Sequence, residues 1–503
     1  MGVSDPDLLL LGEGPGAEED QTGKPFQGGS GRILHVWRQQ SGILATPTYI
    51  DNVIQHRPPN NEIELADLGA GVPDLFRRIL RVNPKLIVLL GNTPLQCFVT
   101  GNISDWRGSY FPVTIGGKVF KAVATFHPAF IMRQRKMWDV VIHDLKKAKR
   151  LAQTPGAYEE PPHNYLIDPP PSILAQECER LLDEKLPVMV DIETDYGGLA
   201  IDRIGLGNVP YQALTTPLNE ETMSILLRFF GRCEYLATQN GPNFDIPKLR
   251  EAGFRARSPV HDTMLYAHIL YNHLPLNLAF LMSIYTDYWY HKDQAHEKPE
   301  WYNCRDVDGQ LQVLQGQLRE LKERGMEGLA AHTMRSAHVV MKMAARGVKV
   351  DVTSMRQFQM DCLGREAYYE SEVGKLLGDP SFNPRSVPQL RAALTTRRVS
   401  IPYNRKKKAY VVDKDALLEI AKKACTSPDA CKAASEDRDK NPNRLRLHVC
   451  NSEISQIASA VINVRENRKL ASTYYSLNVG ERGRVFPTWK MASSAKDEEE
   501  DLK

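Results

Sequence analysis

No Cys-x-x-Cys pair occurs among the eight cysteines of this 503-residue chain. That absence argues against a zinc ribbon, a thioredoxin-type site or a disulfide framework. Long apolar runs are missing as well: Leu8–Leu11 and Leu86–Leu90 fall far short of the ~20 residues that span a bilayer. No basic leader followed by an apolar stretch comes after Met1. The chain therefore reads as intracellular, reduced and without a membrane partner. Neither sign of charge dominates, since 64 Lys and Arg against 61 Asp and Glu leave a net charge of +3. A polybasic protein is excluded, while a local basic groove is not.

The length allows three or four domains at roughly 150 residues each. Pro155, Pro161, Pro162 and Pro169 to Pro171 mark 153–172 as a linker, because prolines at that density oppose both helix and ladder pairing. Before it, strand-like runs at Leu8–Leu11, Leu86–Leu90 and 119–125 alternate with helical patterns such as 74–82. Residues 1–152 thus read as an α/β sandwich. Residues 173–330 alternate in the same way, with buried strands expected at 188–193 and 236–238. Residues 331–490 read as mainly α-helical, with a polar loop at 425–443, and 491–503 as an acidic tail. The whole is an α/β multidomain chain.

Two residues apart on one strand, Asp191 and Glu193 would share a face. Carboxylates so placed repel unless a cation lies between them, and oxygen donors suit magnesium or manganese. Such a pair alone is often only a solvated strand end. Asp245, in Gln239-Asn240-Gly241-Pro242-Asn243-Phe244-Asp245, adds a third acid after a strand. Tyr302 and Asp306, four apart, fall on one face of a helix. Four carboxylates and a tyrosine in this order resemble the three motifs of the DnaQ-like 3′–5′ exonucleases, over about 185–325, and Asp262 falls where family-A proofreading domains often have Asp-Thr. The resemblance implies a ribonuclease-H-like fold with two Mg2+ or Mn2+ ions. By it, Asp191, Glu193, Asp245 and Asp306 are metal ligands, and Tyr302 orients the attacking water. An acidic cluster on an inactive scaffold is the competing reading.

Near the start, Leu8–Leu11 enters Gly12-Glu13-Gly14-Pro15-Gly16, followed by Glu18, Glu19 and Asp20. No Gly-Lys-Ser/Thr follows, and the acids would repel a phosphate, so a nucleotide site is not expected. Together with Gly23-Lys24-Pro25-Phe26, Asp51-Asn52-Val53, Arg57-Pro58-Pro59 and His127-Pro128-Ala129 up to Arg133, this segment resembles the family 4 uracil-DNA glycosylases across residues 6 to 150. That resemblance implies that Phe26 stacks on a flipped uracil, with Gly14 beside it, and that Asn52 reads the base edge. Glu13, with Glu19 nearby, assists the water or the cationic sugar, and His127 serves the departing base. Met132 and Arg133 lie where that family pushes into the duplex. The family's iron–sulfur cysteines are not matched: eleven residues precede Gly12 without a cysteine, the later positions fall near Gly71 and Ile87, and Cys97 stands alone. No iron–sulfur cluster is therefore expected. A glycosylase fold kept only for binding DNA is the competing reading.

In the last third, 344–351 reads as a helix stop entering an extended turn. With Phe382–Leu390, Arg405-Lys406-Lys407-Lys408, 412–418 and 465–474, it resembles the thumb-side start of a family-A DNA polymerase. Arg405, Lys406, Lys407 and Lys408 are candidate phosphate contacts, although a charge run is usually a solvated face. Palm and fingers have no room, so no synthesis is expected from this chain, and a separate palm-and-fingers polypeptide is a candidate partner. Cys425, Cys431, His448 and Cys450 do not match common zinc spacings. The combined expectation is a DNA-processing protein that acts on single-stranded 3′ ends and uracil-containing DNA. A non-catalytic polymerase accessory subunit and an exonuclease acting on RNA are the alternatives.

Overall fold

The computed structural model of the chain describes residues 5–58, 63, 65–195, 197–198, 200–404, 409–424, 452–475, 479–480, 482–487, 489 and 491–492. Two compact units emerge, one of Met1–Ala345 together with the described residues after Pro487, the other of Arg346–Pro487.

The first unit holds two sheets. In one, β1 (Leu8–Gly12), β2 (Thr48–Asn52), β3 (Leu86–Leu90), β4 (Tyr110–Ile115) and β5 (Lys118–Thr125) lie in the order β2-β1-β3-β5-β4. All its pairings are parallel except β4 with β5. Every residue of β1 and β3 is buried, as expected of central parallel strands covered on both faces. Around this sheet run α1 (Gly29–Gln40), α2 (Leu65–Val82), α3 (Pro128–Arg133) and α4 (Trp138–Gln153).

The second sheet has the order β11-β10-β7-β8-β9-β6. It comprises β6 (Asn164–Ile167), β7 (Val188–Thr194), β8 (Ile201–Gly207), β9 (Gln212–Pro217), β10 (Leu236–Thr238) and β11 (His261–Asp262). Strands β7, β8 and β9 form an antiparallel meander, while β10 runs parallel to β7. The accompanying helices are α5 (Pro171–Asp183), α6 (Glu220–Arg232), α7 (Asp245–Glu251), α8 (Thr263–Leu270), α9 (Leu278–Tyr285), α10 (Pro299–Glu323) and α11 (Glu327–Arg346).

Three boundary expectations need correcting. The stretch 153–172 is not all linker: its proline-free piece Asn164–Ile167 pairs with β9 as an edge strand, and Pro171 opens α5. A proline at the first helical position loses no hydrogen bond, so the same residues that break a helix interior are tolerated there. The boundary at 330 also moves. Ala330, Met334, Ala337 and Met341 recur every three or four residues along α11 and are buried in the first unit. Finally, 1–152 and 173–330 are not separate compact bodies. Arg107, buried and paired with Asp144 at 2.7 Å, also donates to Ser283 Oγ. Lys147 Nζ donates to the carbonyls of Gly108 and Thr286 at 2.6 Å each.

The second unit contains α12 (Val352–Leu377), α13 (Val387–Thr396), α14 (Lys414–Lys423) and α15 (Glu453–Tyr475). Two short ladders accompany them, β12 (Val348–Lys349) with β15 (Arg484–Val485), and β13 (Tyr403–Asn404) with β14 (Ala409–Tyr410). Its core joins Tyr369, Val373, Leu417, Ile457 and Val461. Gly347, at φ +67°, ends α11 at the helix stop read from the sequence. Arg405, Lys406, Lys407, Lys408, Cys425, Cys431, His448, Cys450, the loop at 425–443 and the tail from Lys496 lie outside the described residues. No described helix is long and apolar enough to cross a membrane.

Candidate functional site

Parallel pairing sets Gly12 at the end of β1 opposite Asn52 at the end of β2. Ligands of open α/β sheets bind at such carboxyl ends. A Cβ on Gly12 would lie 2.5 Å from Asn52 Oδ1 and 2.6 Å from the tip of the Phe26 ring, so the bare glycine lets both groups close over the strand. The Phe26 backbone turns at φ +55°, and its carbonyl would meet a Cβ on Gly31 at 1.9 Å. Gly31 therefore seats this loop on the start of α1. The Gln27 and Gly28 amides donate to Glu19 Oε1 at 3.0 and 3.3 Å, tying the acidic loop to the aromatic one.

Asn52 is held from behind. Arg78 of α2 donates to Asp51 Oδ2 at 2.9 Å and to the Asn52 carbonyl at 2.8 Å. Among the described residues, the Asn52 side-chain amide makes no hydrogen bond and so remains available to a ligand. His127 caps α3, its Nδ1 accepting from the Ala129 amide at 3.2 Å. Burial pushes the imidazole down to about 4, with a smaller opposing pull from Glu19. The ring is thus neutral at pH 7, with its hydrogen on Nε2. Phe26 and His127 have ring centroids 5.9 Å apart. Glu13, Gly14, Glu19, Phe26, Asn52 and His127 all line one pocket of about 420 Å³. Met132 and Arg133 are exposed at the end of α3 and do not line it.

The iron–sulfur cluster of the resembled family finds no fit in these residues. Cys97 is the only cysteine in 1–152, and a Cβ on Gly71 would press to 2.8 Å from Ile54 Cγ2. One thiol does not make a cluster site that takes four, and no step is derived through such a group.

The acids of the second sheet form another site. Asp191 and Glu193 stand on β7, and Tyr302 and Asp306 on α10. Close approach of that helix depends on β8, where a Cβ on Gly205 would lie 2.6 Å from Asn303 Oδ1 and one on Gly207 2.9 Å from Val307. Asp191, Glu193 and Asp306 offer oxygens that lie within 4.8 Å of one another. Burial, then the neighbouring acids Asp306, Glu193 and Asp245, raise the Asp191 carboxyl well above its usual range. Burial and Asp306 push Glu193 up to about 7. Burial and the Asp306 carboxylate also raise the Tyr302 phenol. This oxygen donor set, strained by its own charge, fits a hard divalent cation.

Asp245 stands apart from that trio at the start of α7, where it accepts from the Ile192 amide at 3.3 Å. Its carboxyl is pushed up to about 7, chiefly by burial. Asp262 is occupied structurally: it accepts from Thr238 Oγ1, the Gly241 amide and the Leu265 amide, pinning the loop that leads to Asp245. Three polar partners escaped the sequence reading. Asn303 and Gln310 donate to the two oxygens of Asp191 at 2.8 and 2.7 Å, and His291 Nε2 meets Asp306 Oδ1 at 2.9 Å. Asn303 and Gln310 share α10 with Tyr302 and Asp306, and Gln310 lies one helical turn beyond Asp306, a signal that could have been followed.

Comparison with known proteins bears on the first fold. The family model for the uracil-DNA glycosylase superfamily matches residues 1–152. The type-4 uracil-DNA glycosylase of Thermotoga maritima is 39% identical over 162 residues, which cover 31% of this chain and 82% of that protein. The type-4 enzyme of Sulfurisphaera tokodaii is 31% identical over 160 residues, 30% of this chain and 73% of that one. DNA polymerase DpoZ of Vibrio phage phiVC8 is 25% identical over 191 residues, covering 37% of this chain but only 26% of the phage protein. Among solved structures, the POL domain of Pol1 from M. smegmatis with DNA primer-template and dNTP has a TM-score of 0.46 at 17% identity, covering 66% of this chain and 53% of that one. Through the fold built by residues 1–152, this chain belongs to the uracil-DNA glycosylase superfamily.

Proposed function

We propose that the chain excises uracil from DNA at the pocket of its first fold. The observation that carries this reading is the convergence of Glu13, Phe26, Asn52 and His127, from four separate segments, on one pocket. A flipped uracil would stack on Phe26 and pair its edge with the free Asn52 amide. The bond between the sugar C1′ and uracil N1 breaks and uracil leaves as an anion. Water adds to C1′ while its surplus proton passes to solvent, where it can neutralise the released base. His127, neutral, lines the pocket and would donate from Nε2 to the uracil oxygen where that charge develops. Glu13 lies at the rim, able to hold the water or to offset the cationic sugar. Release of free uracil from labelled DNA tests this reading: it should occur without added metal and fall about 10²-fold or more in Asn52→Ala and His127→Ala. Release unaffected by either substitution would refute it.

A second activity is favoured by the carboxylate trio. Asp191, Glu193 and Asp306 would hold divalent metal, which supplies a sharpened water nucleophile and an electrophile for phosphodiester hydrolysis. Tyr302 stands beside Asp306 to orient the water, and Asp245 adds negative charge behind β7. This reading is a 3′–5′ exonuclease on DNA. The helical second unit is read as the thumb-side start of a family-A polymerase, from the sequence motifs at 344–351, 382–390 and 465–474. Magnesium-dependent shortening from the 3′ end, abolished by Asp191→Ala, tests the exonuclease.

A further inference from the structure

Between α9 and α10, residues 286–291 run as an irregular strap that makes contacts, through backbone and side chains, to two partners. Thr286 gives its carbonyl to Lys147, and Asp287 accepts from both terminal nitrogens of Arg150 at 2.5 and 2.9 Å. Trp289 stacks on Trp106 with centroids 6.1 Å apart, and the Tyr290 amide donates to Ser109 Oγ at 2.9 Å. These four contacts all go to the glycosylase fold. Tyr288 and His291 turn the other way: Tyr288 donates to Asp308 on α10 and lies under Arg305, and His291 meets Asp306. The His291 ring is buried, edged against Trp301 and 5.4 Å from the Tyr302 ring.

His291 Nε2 lies 2.9 Å from Asp306 Oδ1, within hydrogen-bond distance. That contact holds the Asp306 carboxylate in place beside those of Asp191 and Glu193. We infer that His291 is a positioning residue for Asp306, delivered by a strap that the glycosylase fold clamps. This inference rests on the carboxylate trio being a metal site, as proposed above. Outer partners of this kind typically govern metal affinity by 10- to 100-fold. The glycosylase fold would then act as a brace for the second site as well as an enzyme in its own right.

The test uses the full chain and titrates Mn2+ by electron paramagnetic resonance, beside 3′ trimming and uracil release in the same samples. His291→Ala should weaken Mn2+ binding about tenfold or more and slow trimming similarly, while uracil release stays at the wild-type rate. His291→Gln, which keeps an N–H donor, should recover most of the affinity. Lys147→Met, remote from both sites, should weaken Mn2+ binding severalfold, and Ser109→Ala replaces it if uracil release shows that Lys147→Met misfolds. Wild-type Mn2+ affinity in His291→Ala, or no recovery in His291→Gln, overturns the positioning role, and wild-type affinity in the clamp variant overturns the strap. A wild type that binds Mn2+ without trimming refutes the exonuclease alone, with His291 still decided by affinity. One that neither binds nor trims refutes both.

Discussion

Replacing Asp245 by asparagine should make the metal-free protein more stable while impairing the second activity. Asp245 is 4% exposed and its carboxyl is pushed from the ordinary 3.8 up to about 7. A folded value raised above the unfolded one removes stability as pH climbs from near 4 to near 7, and the full penalty stands above that. Holding the group at about 7 corresponds to ~4 kcal/mol at pH 8, from 1.36 kcal/mol per pKa unit. Burial supplies most of that strain, with Asp262 and Glu193 adding to it. The asparagine amide is also a buried polar group, so the substitution should recover roughly half, about 2 kcal/mol. The amide oxygen that Asp245→Asn introduces still accepts from the Ile192 amide, so no donor is orphaned. Urea denaturation in EDTA should therefore show Asp245→Asn more stable than wild type at pH 8, with the difference shrinking below about 1 kcal/mol near pH 4.5. Saturating magnesium should narrow or reverse the gap, because metal stabilises the state that binds it. A variant less stable than wild type in EDTA at pH 8 would refute the idea that these acids are strained for want of a cation.

Because burial holds His127 near 4, uracil release should show no limb from that group between pH 6 and 8 in a pH–rate profile. A limb near 6.5 that vanishes in His127→Ala would contradict the neutral assignment. Gly31→Ala drives a Cβ against the Phe26 carbonyl and should cost uracil release about tenfold or more, leaving 3′ trimming intact. Arg107→Ala strands Asp144, 0% exposed, and should destabilise the first unit by ~3–5 kcal/mol in urea, with a loss under about 1 kcal/mol contradicting the clamp. Arg78→Ala should lower both stability and uracil release, since it frees the Asn52 backbone and leaves Asp51 without its guanidinium.

The strands of both sheets were readable where the chemistry was local. Leu8–Leu11 and Leu86–Leu90 are apolar throughout because both faces are covered, and Asp191 with Glu193 share a face because a strand repeats every two residues. Convergence of Phe26, Asn52 and His127 could be anticipated only as an ordered set, since no periodicity links a loop, a strand end and a helix cap. What escaped was tertiary. Asn164–Ile167 is a short, half-exposed edge strand hidden among prolines, with no hydrophobic alternation to announce it. Arg107 and Lys147 look like surface cations on their own elements, and only Ser283 at the end of α9 and Thr286 just after it explain why they are buried. His291 lies outside every motif, and its role emerges only when the strap returns it to Asp306.

The most direct test places one internal uracil in a single strand labelled at either end. It is incubated with wild type, His127→Ala and Asp191→Ala, in magnesium or EDTA, and then treated with alkali. The account predicts an alkali-sensitive break at uracil that survives EDTA and Asp191→Ala but is lost in His127→Ala. It also predicts 3′ shortening that needs magnesium and Asp191 and persists in His127→Ala. A strand that is bound yet stays intact under every condition would contradict both activities and leave a non-catalytic DNA-binding protein.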